Sequence, residues 1–154
     1  MIVKYISTKT YKELGPVCYR QWKADSHCNV LHGYALSFYF EFESETLDAR
    51  NWVIDFGGLR PFRDSLEDWF DHTLLIASDD PQKTALQALG QLGLAKIVEV
   101  EKTGCEGIAE WLYEYINTIY LKDQGESERV WCSKVQVSET GANMAMVVGH
   151  RGDV

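Results

Sequence analysis

A strictly alternating run over residues 33–44 constrains the fold of this chain more than any other feature. Apolar side chains occupy every second position, and most positions between them are small or polar. Because side chains alternate between the two faces of a β-strand, the run predicts a strand with one face in the core. One face carries Tyr34, Leu36, Phe38, Phe40 and Phe42, and the other carries Ala35, Ser37, Tyr39, Glu41 and Glu43.

Helical spacing follows this strand, because apolar residues then recur three and four positions apart in two stripes. The first stripe consists of Leu59, Phe62, Leu66, Trp69 and Phe70, with Pro61 in the first helical turn. The second consists of Ile108, Trp111, Leu112, Tyr115, Ile116 and Ile119. A shorter helix is predicted over residues 82–93, with Leu86 and Leu89 facing inward.

Strands are predicted on both sides of these helices. They cover residues 1–8, 15–22, 97–101, 129–138 and 143–149, with a shorter apolar run at 52–56. The Gly15-Pro16 turn signal indicates that the first two form a hairpin. The pattern predicts an α+β fold of β-β-α-α-β-β order, with an antiparallel sheet and helices on one face only. Because the other face and the sheet edges need cover, an oligomer is expected.

Composition narrows the function further. The chain has 154 residues, which fit one domain over 1–154, and its net charge of −8 argues against a general nucleic-acid binder. No apolar run approaches the ~20 residues of a membrane helix, and the first residues lack the apolar core of a signal peptide. A cytoplasmic protein without a membrane partner is expected. Its four cysteines, Cys18, Cys28, Cys105 and Cys132, should then be reduced thiols.

The segment from Cys28 to Gly33 places a thiol and an imidazole where a loop meets the long strand. A nearby cation or metal would lower the thiol pKa from its ordinary value of about 8.5, which makes Cys28 a candidate catalytic group. The alternative interpretation of Cys28 is a small buried apolar residue. His32 and Tyr34 share one sheet face, but a phenol is a poor zinc ligand unless it is ionised.

Two further pairs carry chemistry. Asp71 precedes His72 at the exit of the first helix, where a carboxylate can orient an imidazole or tune its proton affinity. Glu139 and Thr140 lie in the turn between the last two strands. A carboxylate there can accept two parallel N–H bonds from an amidine-like edge. Each pair taken alone is also compatible with an ordinary surface position.

Together these fragments resemble the 6-pyruvoyl-tetrahydropterin synthase / 6-carboxy-tetrahydropterin synthase family. The matching fragments, in chain order, are Cys28 with His32-Gly33-Tyr34, Val53-Ile54-Asp55-Phe56, Asp71-His72, Thr103-Gly104-Cys105-Glu106-Gly107-Ile108-Ala109, and Val137-Ser138-Glu139-Thr140. The resemblance implies the tunnelling fold, assembled as an oligomeric barrel. A trimer or a homohexamer built from two trimeric barrels is the implied assembly.

The resemblance also implies roles for the matching residues. Glu139, with Thr140, would bind the 2-amino and ring N–H edge of a pterin. Cys28 would be the general acid or base, and Asp71 and His72 would form the relay that sets its protonation. The implied substrate is 7,8-dihydroneopterin triphosphate, and the implied enzyme is a carbon–oxygen lyase that eliminates triphosphate. In the bacterial branch the side chain is also cleaved, which leaves 6-carboxy-5,6,7,8-tetrahydropterin for queuosine and deazaguanine synthesis.

Two alternatives to that product stay open. One is a lyase that forms 6-pyruvoyl-tetrahydropterin, and the other is a non-catalytic pterin-binding oligomer with a degraded zinc site. In either enzyme the substrate's phosphates need local cations, which oppose the overall negative charge. Arg20 and Lys23, close to the Cys28 loop, are the candidates.

The zinc site implied by the resemblance departs from the family pattern. The family uses three histidines, the first in a Phe-x-Ala-x-His context whose counterpart here is residues 17–19, with Cys18 in the place of the histidine. The second histidine matches His32, and the third has become Tyr34. With His27 as a substitute, Cys18, His27 and His32 are the candidate zinc ligands, since thiolate and imidazole both suit zinc. A metal-free protein is the alternative.

Overall fold

The computed structural model describes residues 3–154, so Met1 and Ile2 of the first predicted strand lie outside the described residues. The strands are β1 (Tyr5–Tyr19), β2 (His32–Ser44), β3 (Thr73–Ala77), β4 (Lys96–Val100), β5 (Trp131–Ser138) and β6 (Met144–Val148). The α-helices are α1 (Arg60–Phe70), α2 (Lys83–Gln91), α3 (Cys105–Tyr115) and the short α4 (Leu121–Asp123). Short 3-10 turns cover His27–Asn29 and Gly57–Leu59. Within the described part of the chain, no helix has the length and apolar character to cross a membrane.

The strands form one six-stranded sheet in the order β4-β3-β1-β2-β5-β6. The predicted α+β class is confirmed, but the sheet is mixed rather than wholly antiparallel. Strand β1 pairs with β3 in parallel, and β3 pairs with β4 in parallel, whereas the remaining pairs are antiparallel. Helix α2 connects β3 to β4 in the same direction, as parallel pairing requires. Strand β3 runs parallel to β1 because the chain reverses direction at β2 and reverses again through α1.

Strand β2 has the one-sided burial that its alternation predicts. The buried side chains are Leu36, Phe38, Phe40 and Phe42, and they meet the inner faces of α1 and α3 in one continuous core. Phe62 on α1 packs edge-on against Phe40 at 5.1 Å between ring centroids. The four phenylalanine and leucine side chains therefore fix which face of the sheet carries the helices.

The predicted hairpin of residues 1–8 and 15–22 is wrong. The chain instead runs as one long strand, β1, which pairs along its length with β2. Its register shifts between Tyr11 and Leu14 and again between Leu14 and Val17, so the Gly15-Pro16 signal marks a bulged bend. Gly15 has φ +139°, and a Cβ there would lie 2.9 Å from the Phe70 carbonyl oxygen, so the bend accepts glycine for steric reasons.

Strand β3 is an element that sequence patterning missed. Its residues are buried along their whole length, which removes the alternation that identifies a half-exposed strand. The apolar run at 52–56 forms no strand and leads into a 3-10 turn. Val53 and Ile54 are nevertheless buried, so the apolar character of the run reflects core packing without sheet pairing.

The predicted helices at 59–70 and 82–93 are confirmed, and α3 begins close to the second stripe. One member of that stripe, Ile119, is 48% exposed, whereas Tyr120 is 5% exposed. The cause is a π-helical turn over Ile116–Tyr120. A π turn adds a residue to the helical turn, which rotates Ile119 outward and Tyr120 inward. The strand predictions at 97–101, 129–138 and 143–149 are confirmed by β4, β5 and β6.

Candidate functional site

Three rings converge where β1 ends and β2 begins. Tyr19 is the cross-strand partner of His32, and Val17 is the partner of Tyr34, so the three rings lie on the helix-covered face. The ring centroids of Tyr19 and His32 are 5.6 Å apart, those of Tyr19 and Tyr34 are 6.2 Å apart, and those of His32 and Tyr34 are 5.4 Å apart. We call Tyr19, His32 and Tyr34 the ring trio.

Gly33 allows the two strands to approach closely beneath the trio. A Cβ at Gly33 would lie 2.9 Å from the carbonyl oxygen of Val17, closer than real Cβ atoms come to a backbone oxygen. Any other residue would therefore push β1 away from β2 at this point. The glycine between His32 and Tyr34 is thus a structural requirement for bringing the rings together.

Glu139 joins the trio from the end of β5. The Tyr19 hydroxyl donates a hydrogen bond of 2.6 Å to Glu139 Oε1, and the Tyr19 side chain is fully buried. Burial raises the pKa of Tyr19 far above its ordinary value, and the hydrogen bond to Glu139 raises it further. Tyr19 is therefore a neutral donor that holds one oxygen of the carboxylate in place.

The turn after β5 orients Glu139 and uses Thr140. The Glu139 backbone N–H donates to the Asn143 carbonyl at 3.0 Å. The Thr140 hydroxyl oxygen accepts from the backbone N–H groups of Ala142 and Asn143 at 3.2 and 3.1 Å. Thr140 therefore shapes the turn that presents Glu139, and its predicted contact with a substrate stays a prediction.

Cys105, at the start of α3, borders Glu139. It belongs to the family fragment at Thr103–Ala109, which carries no role from the sequence. Burial raises the pKa of Cys105 to about 12, and the negative charge of Glu139 adds to the effect. Its thiol is therefore neutral at physiological pH and adds no charge beside the Glu139 carboxylate.

Cys28 lies in the 3-10 turn His27–Asn29 and is partly buried. Its backbone N–H donates to Ser26 Oγ at 3.3 Å, and its carbonyl accepts from the Gln21 N–H at 2.9 Å. Burial raises the pKa of Tyr34, and the charges of Glu139 and Cys28 contribute further. Cys28 thus lies within electrostatic reach of Tyr34, so the structure brings Cys28, His32 and Glu139 to one corner of the fold.

Arg20 ties the Cys28 loop to the rest of the molecule. Its guanidinium forms two hydrogen bonds with Asp80, of 2.8 and 2.9 Å, and two with Asn29, both of 3.1 Å. The Asp80 side chain is only 1% exposed, so this ion pair is largely buried. Arg20 is therefore fully engaged in structure, while Lys23 pairs at 3.3 Å with the exposed Asp79. The phosphate contacts of Arg20 and Lys23 stay a prediction.

Asp71 and His72 form a pair where α1 ends and β3 begins. His72 Nδ1 lies 2.6 Å from Asp71 Oδ1, and the His72 side chain is 80% exposed. Its backbone N–H donates to the Pro16 carbonyl, and its φ of 57° lies in the left-handed region where the chain turns from α1 into β3. Within residues 3–154, no hydrogen bond joins either side chain to Cys28. The predicted Asp71–His72 pair therefore forms, and its role as a relay to the Cys28 thiol stays a prediction.

The predicted zinc ligands Cys18, His27 and His32 do not converge. Cys18 neighbours Tyr19 on a regular stretch of β1, so its side chain points to the opposite sheet face from His32, and His27 is exposed. Among the described residues, no group of three His, Cys, Asp or Glu side chains could hold a metal ion. Tyr19 occupies the position beside His32 that Cys18 was expected to fill. As arranged, these donors do not fit zinc, and the cofactor remains a prediction.

Comparisons with known proteins agree with this geometry. A family model described as 6-pyruvoyl tetrahydropterin synthase matches residues 16–150. A search of curated proteins gave no match. The crystal structure of an uncharacterized protein from Wolinella succinogenes superposes with a TM-score of 0.81 at 23% identity, covering 96% of this chain and 99% of that chain.

Two solved synthases share the fold at lower identity. The 6-pyruvoyl tetrahydropterin synthase of Caenorhabditis elegans gives a TM-score of 0.64 at 14% identity, covering 97% of this chain and 98% of that chain. The 6-pyruvoyl tetrahydropterin synthase of Plasmodium vivax gives 0.61 at 13% identity, covering 93% and 97%. These likenesses extend over nearly the whole length of each chain, and at such identities they show the fold alone.

Proposed function

The chain belongs to the 6-pyruvoyl tetrahydropterin synthase family, and from this premise we propose that it is a carbon–oxygen lyase acting on 7,8-dihydroneopterin triphosphate. The observation that carries the proposal is the position of Glu139. Tyr19 holds Oε1, and Oε2 accepts no N–H or O–H bond within residues 3–154. The carboxylate is thus oriented by the protein and keeps acceptor capacity for a ligand.

A pterin ring offers the complementary donors. Its 2-amino group and adjacent ring N–H form a flat amidine-like edge, which matches a carboxylate in the same way as a guanidinium does. In this proposal the thiol of Cys28, whose carbonyl accepts a hydrogen bond from Gln21 just beyond the end of β1, exchanges protons with a side chain carried by that ring. Glu139 would therefore bind the ring while Cys28 acts as general acid or base on the side chain.

We infer 6-carboxy-5,6,7,8-tetrahydropterin as the product, as in the queuosine and deazaguanine branch of the family. That reaction eliminates triphosphate and also cleaves the side chain, whereas a 6-pyruvoyl-forming lyase would retain all side-chain carbons. The two products differ in mass, so mass spectrometry separates them directly.

The test is to incubate the purified protein with 7,8-dihydroneopterin triphosphate, with and without added zinc, and to follow the products by mass. We expect turnover that is lost in Cys28→Ser. In Glu139→Gln, binding should weaken by at least about tenfold, since a hydrogen bond to a charged group contributes about 1.5–3 kcal/mol. Glu114→Gln, at an exposed position on α3, is the matched control. No turnover under either condition would contradict the lyase.

The proposal includes a homo-oligomer, a trimer or a hexamer. Strand β6 forms one edge of the sheet and exposes Met144, Met146 and Val148 at 45%, 50% and 60%. An unpaired edge carrying exposed apolar side chains favours contact with another chain. A neighbouring chain could also supply the Asp71–His72 pair that Cys28 lacks. Light scattering on the purified protein gives the mass, and a monomer would contradict this part. The cytoplasmic location stays a prediction.

A second candidate function is a non-catalytic pterin-binding oligomer. It is favoured by the failure of Cys18, His27 and His32 to converge, because the metal chemistry implied by the family then lacks its ligands. Calorimetry with 7,8-dihydroneopterin distinguishes the two functions. Binding that depends on Glu139 together with no turnover of the triphosphate would favour this candidate.

A further inference from the structure

We propose that the ring trio is a metal-free hydrogen-bonding site for a hydroxyl-bearing side chain of an organic ligand. The inference rests on the proposed function in one respect, because it takes the ligand ring to be a pterin held by Glu139. It departs from the zinc chemistry implied by the family, since it assigns this corner to neutral donors and acceptors.

Tyr19 is not available to a metal. Its hydroxyl hydrogen points to Glu139 Oε1 over 2.6 Å, and its side chain is fully buried. A phenol binds zinc well only as a phenolate, and forming the phenolate would remove the hydrogen that Tyr19 donates to Glu139. Tyr19 therefore positions Glu139, and its own ring is buried in the protein beneath the site.

His32 contributes one free acceptor. Its Nδ1 lies 2.7 Å from the carbonyl oxygen of Val30. Because a carbonyl can only accept, Nδ1 carries the hydrogen, and Nε2 of the neutral ring keeps its lone pair. No hydrogen bond to Nε2 exists within residues 3–154. Structural zinc takes four ligands and catalytic zinc three from the protein, so this single nitrogen cannot hold the ion.

Tyr34 contributes one free hydroxyl. The ring is partly buried, and its hydroxyl has no hydrogen-bond partner in the part of the chain that the structure describes. Its centroid lies 5.4 Å from that of His32, at nearly a right angle. A ligand hydroxyl can donate to His32 Nε2 and accept from Tyr34 Oη. The two rings thus match a polyol side chain better than they match a cation.

The metal half of the proposal is tested with Co²⁺ alone, whose visible absorption reports a tetrahedral site. The wild-type protein is expected to give no such absorption and to purify without stoichiometric zinc. The double variant Tyr19→His with Tyr34→His completes a three-imidazole set with His32 and should bind one Co²⁺ per chain. One zinc or cobalt per wild-type chain, lost in His32→Ala, would overturn the proposal even if the double variant fails to fold.

The ligand half is tested by calorimetry in EDTA with 7,8-dihydroneopterin and with 7,8-dihydropterin, which lacks the side chain. The neopterin should bind at least about fivefold more tightly, as expected for one net hydrogen bond. Tyr34→Phe and His32→Ala should each reduce that difference. Equal binding of both compounds would overturn the site while leaving the proposed function intact. Binding of neither compound by a protein that turns over the triphosphate would also overturn the site. Binding of neither together with no turnover would overturn the proposed function, and with it the ligand assigned to the trio.

Discussion

The fold holds two candidate parts of one active site very differently. One is the corner that contains Cys28, His32 and Glu139, and the other is the Asp71–His72 pair. The hydrogen bond from Tyr19 to Glu139 joins residues 120 positions apart, and the Arg20–Asp80 ion pair joins residues 60 positions apart. The His72 side chain, by contrast, is paired with its sequence neighbour Asp71 and is 80% exposed. One region is therefore fixed by tertiary structure, whereas the other keeps a free surface that a second chain can contact.

In the region fixed by tertiary structure, breaking the Arg20–Asp80 ion pair should cause the largest loss of stability. Arg20→Ala leaves the Asp80 carboxylate, only 1% exposed, without its cation, and removes two bonds to Asn29 in the Cys28 loop. We expect the free energy of unfolding in urea to fall by about 3–5 kcal/mol. Lys23→Ala, which breaks the exposed pair with Asp79, should change it by under about 1 kcal/mol. Equal effects from both variants would show that the buried pair does not anchor the loop.

Tyr19→Phe removes one hydroxyl from the same region and should have the next largest effect. The bond it deletes ends on a carboxylate, so we expect a loss of about 1.5–3 kcal/mol in the free energy of unfolding. Tyr39→Phe is the matched control, because Tyr39 donates to Glu41 over 2.8 Å between near neighbours on β2. Chemical denaturation of both variants compares a bond that joins distant parts of the chain with a local one. A smaller loss of stability in Tyr19→Phe than in Tyr39→Phe would contradict the conclusion that tertiary contacts fix the region around Glu139.

The pH dependence of the free energy of unfolding tests the fixed region further, through the buried thiol of Cys105. Burial raises its pKa from 9.0 to about 12 in the folded protein, so the unfolded chain loses this proton first as the pH rises. The stabilisation is complete below pH 9 and is lost as the pH approaches 12. Between these values the group should lower the free energy of unfolding by about 1.4 kcal/mol per pH unit. Other buried phenols and thiols contribute as well, so the measurement is the difference in slope between wild type and Cys105→Ala. Identical slopes would contradict the assignment.

The exposed pair should give the smallest effect on stability. Asp71→Asn removes the charge beside His72 at a surface site, so we expect a change under about 0.5 kcal/mol in the free energy of unfolding. Turnover of the triphosphate should nevertheless drop if the pair relays protons to Cys28. Asp68→Asn, at an exposed position on α1, controls for loss of surface charge. A large loss of stability in Asp71→Asn would mean that the pair is a structural element.

Much of the fold could be predicted from local patterns. The alternation in β2 and the apolar stripes of α1 and α3 identify elements whose one-sided burial leaves a periodic signal. Strand β3 has no such signal, because both of its faces are buried. Its parallel pairing with β1 and β4 joins residues far apart in sequence, and this pairing made the sheet mixed.

The candidate site could be predicted in part. Cys28, His32 and Glu139 do lie at one corner, whereas Tyr19 was missed in favour of its neighbour Cys18. The face that a β1 residue presents depends on the two register shifts upstream, which sequence patterning interpreted as a turn. Cys18 was assigned from its place in the family context at residues 17–19, and a shift of one residue is enough to exchange the two faces of a strand.

The bulged bend of β1 also bears on how this corner can change during evolution. Deleting one residue between Tyr11 and Val17 would exchange the faces of the residues that follow, so Cys18 would enter the corner and Tyr19 would leave it. An oxygen donor would then give way to a sulfur donor without any substitution at either position. Relatives of this protein should therefore be aligned by the length of the bend before their site residues are compared.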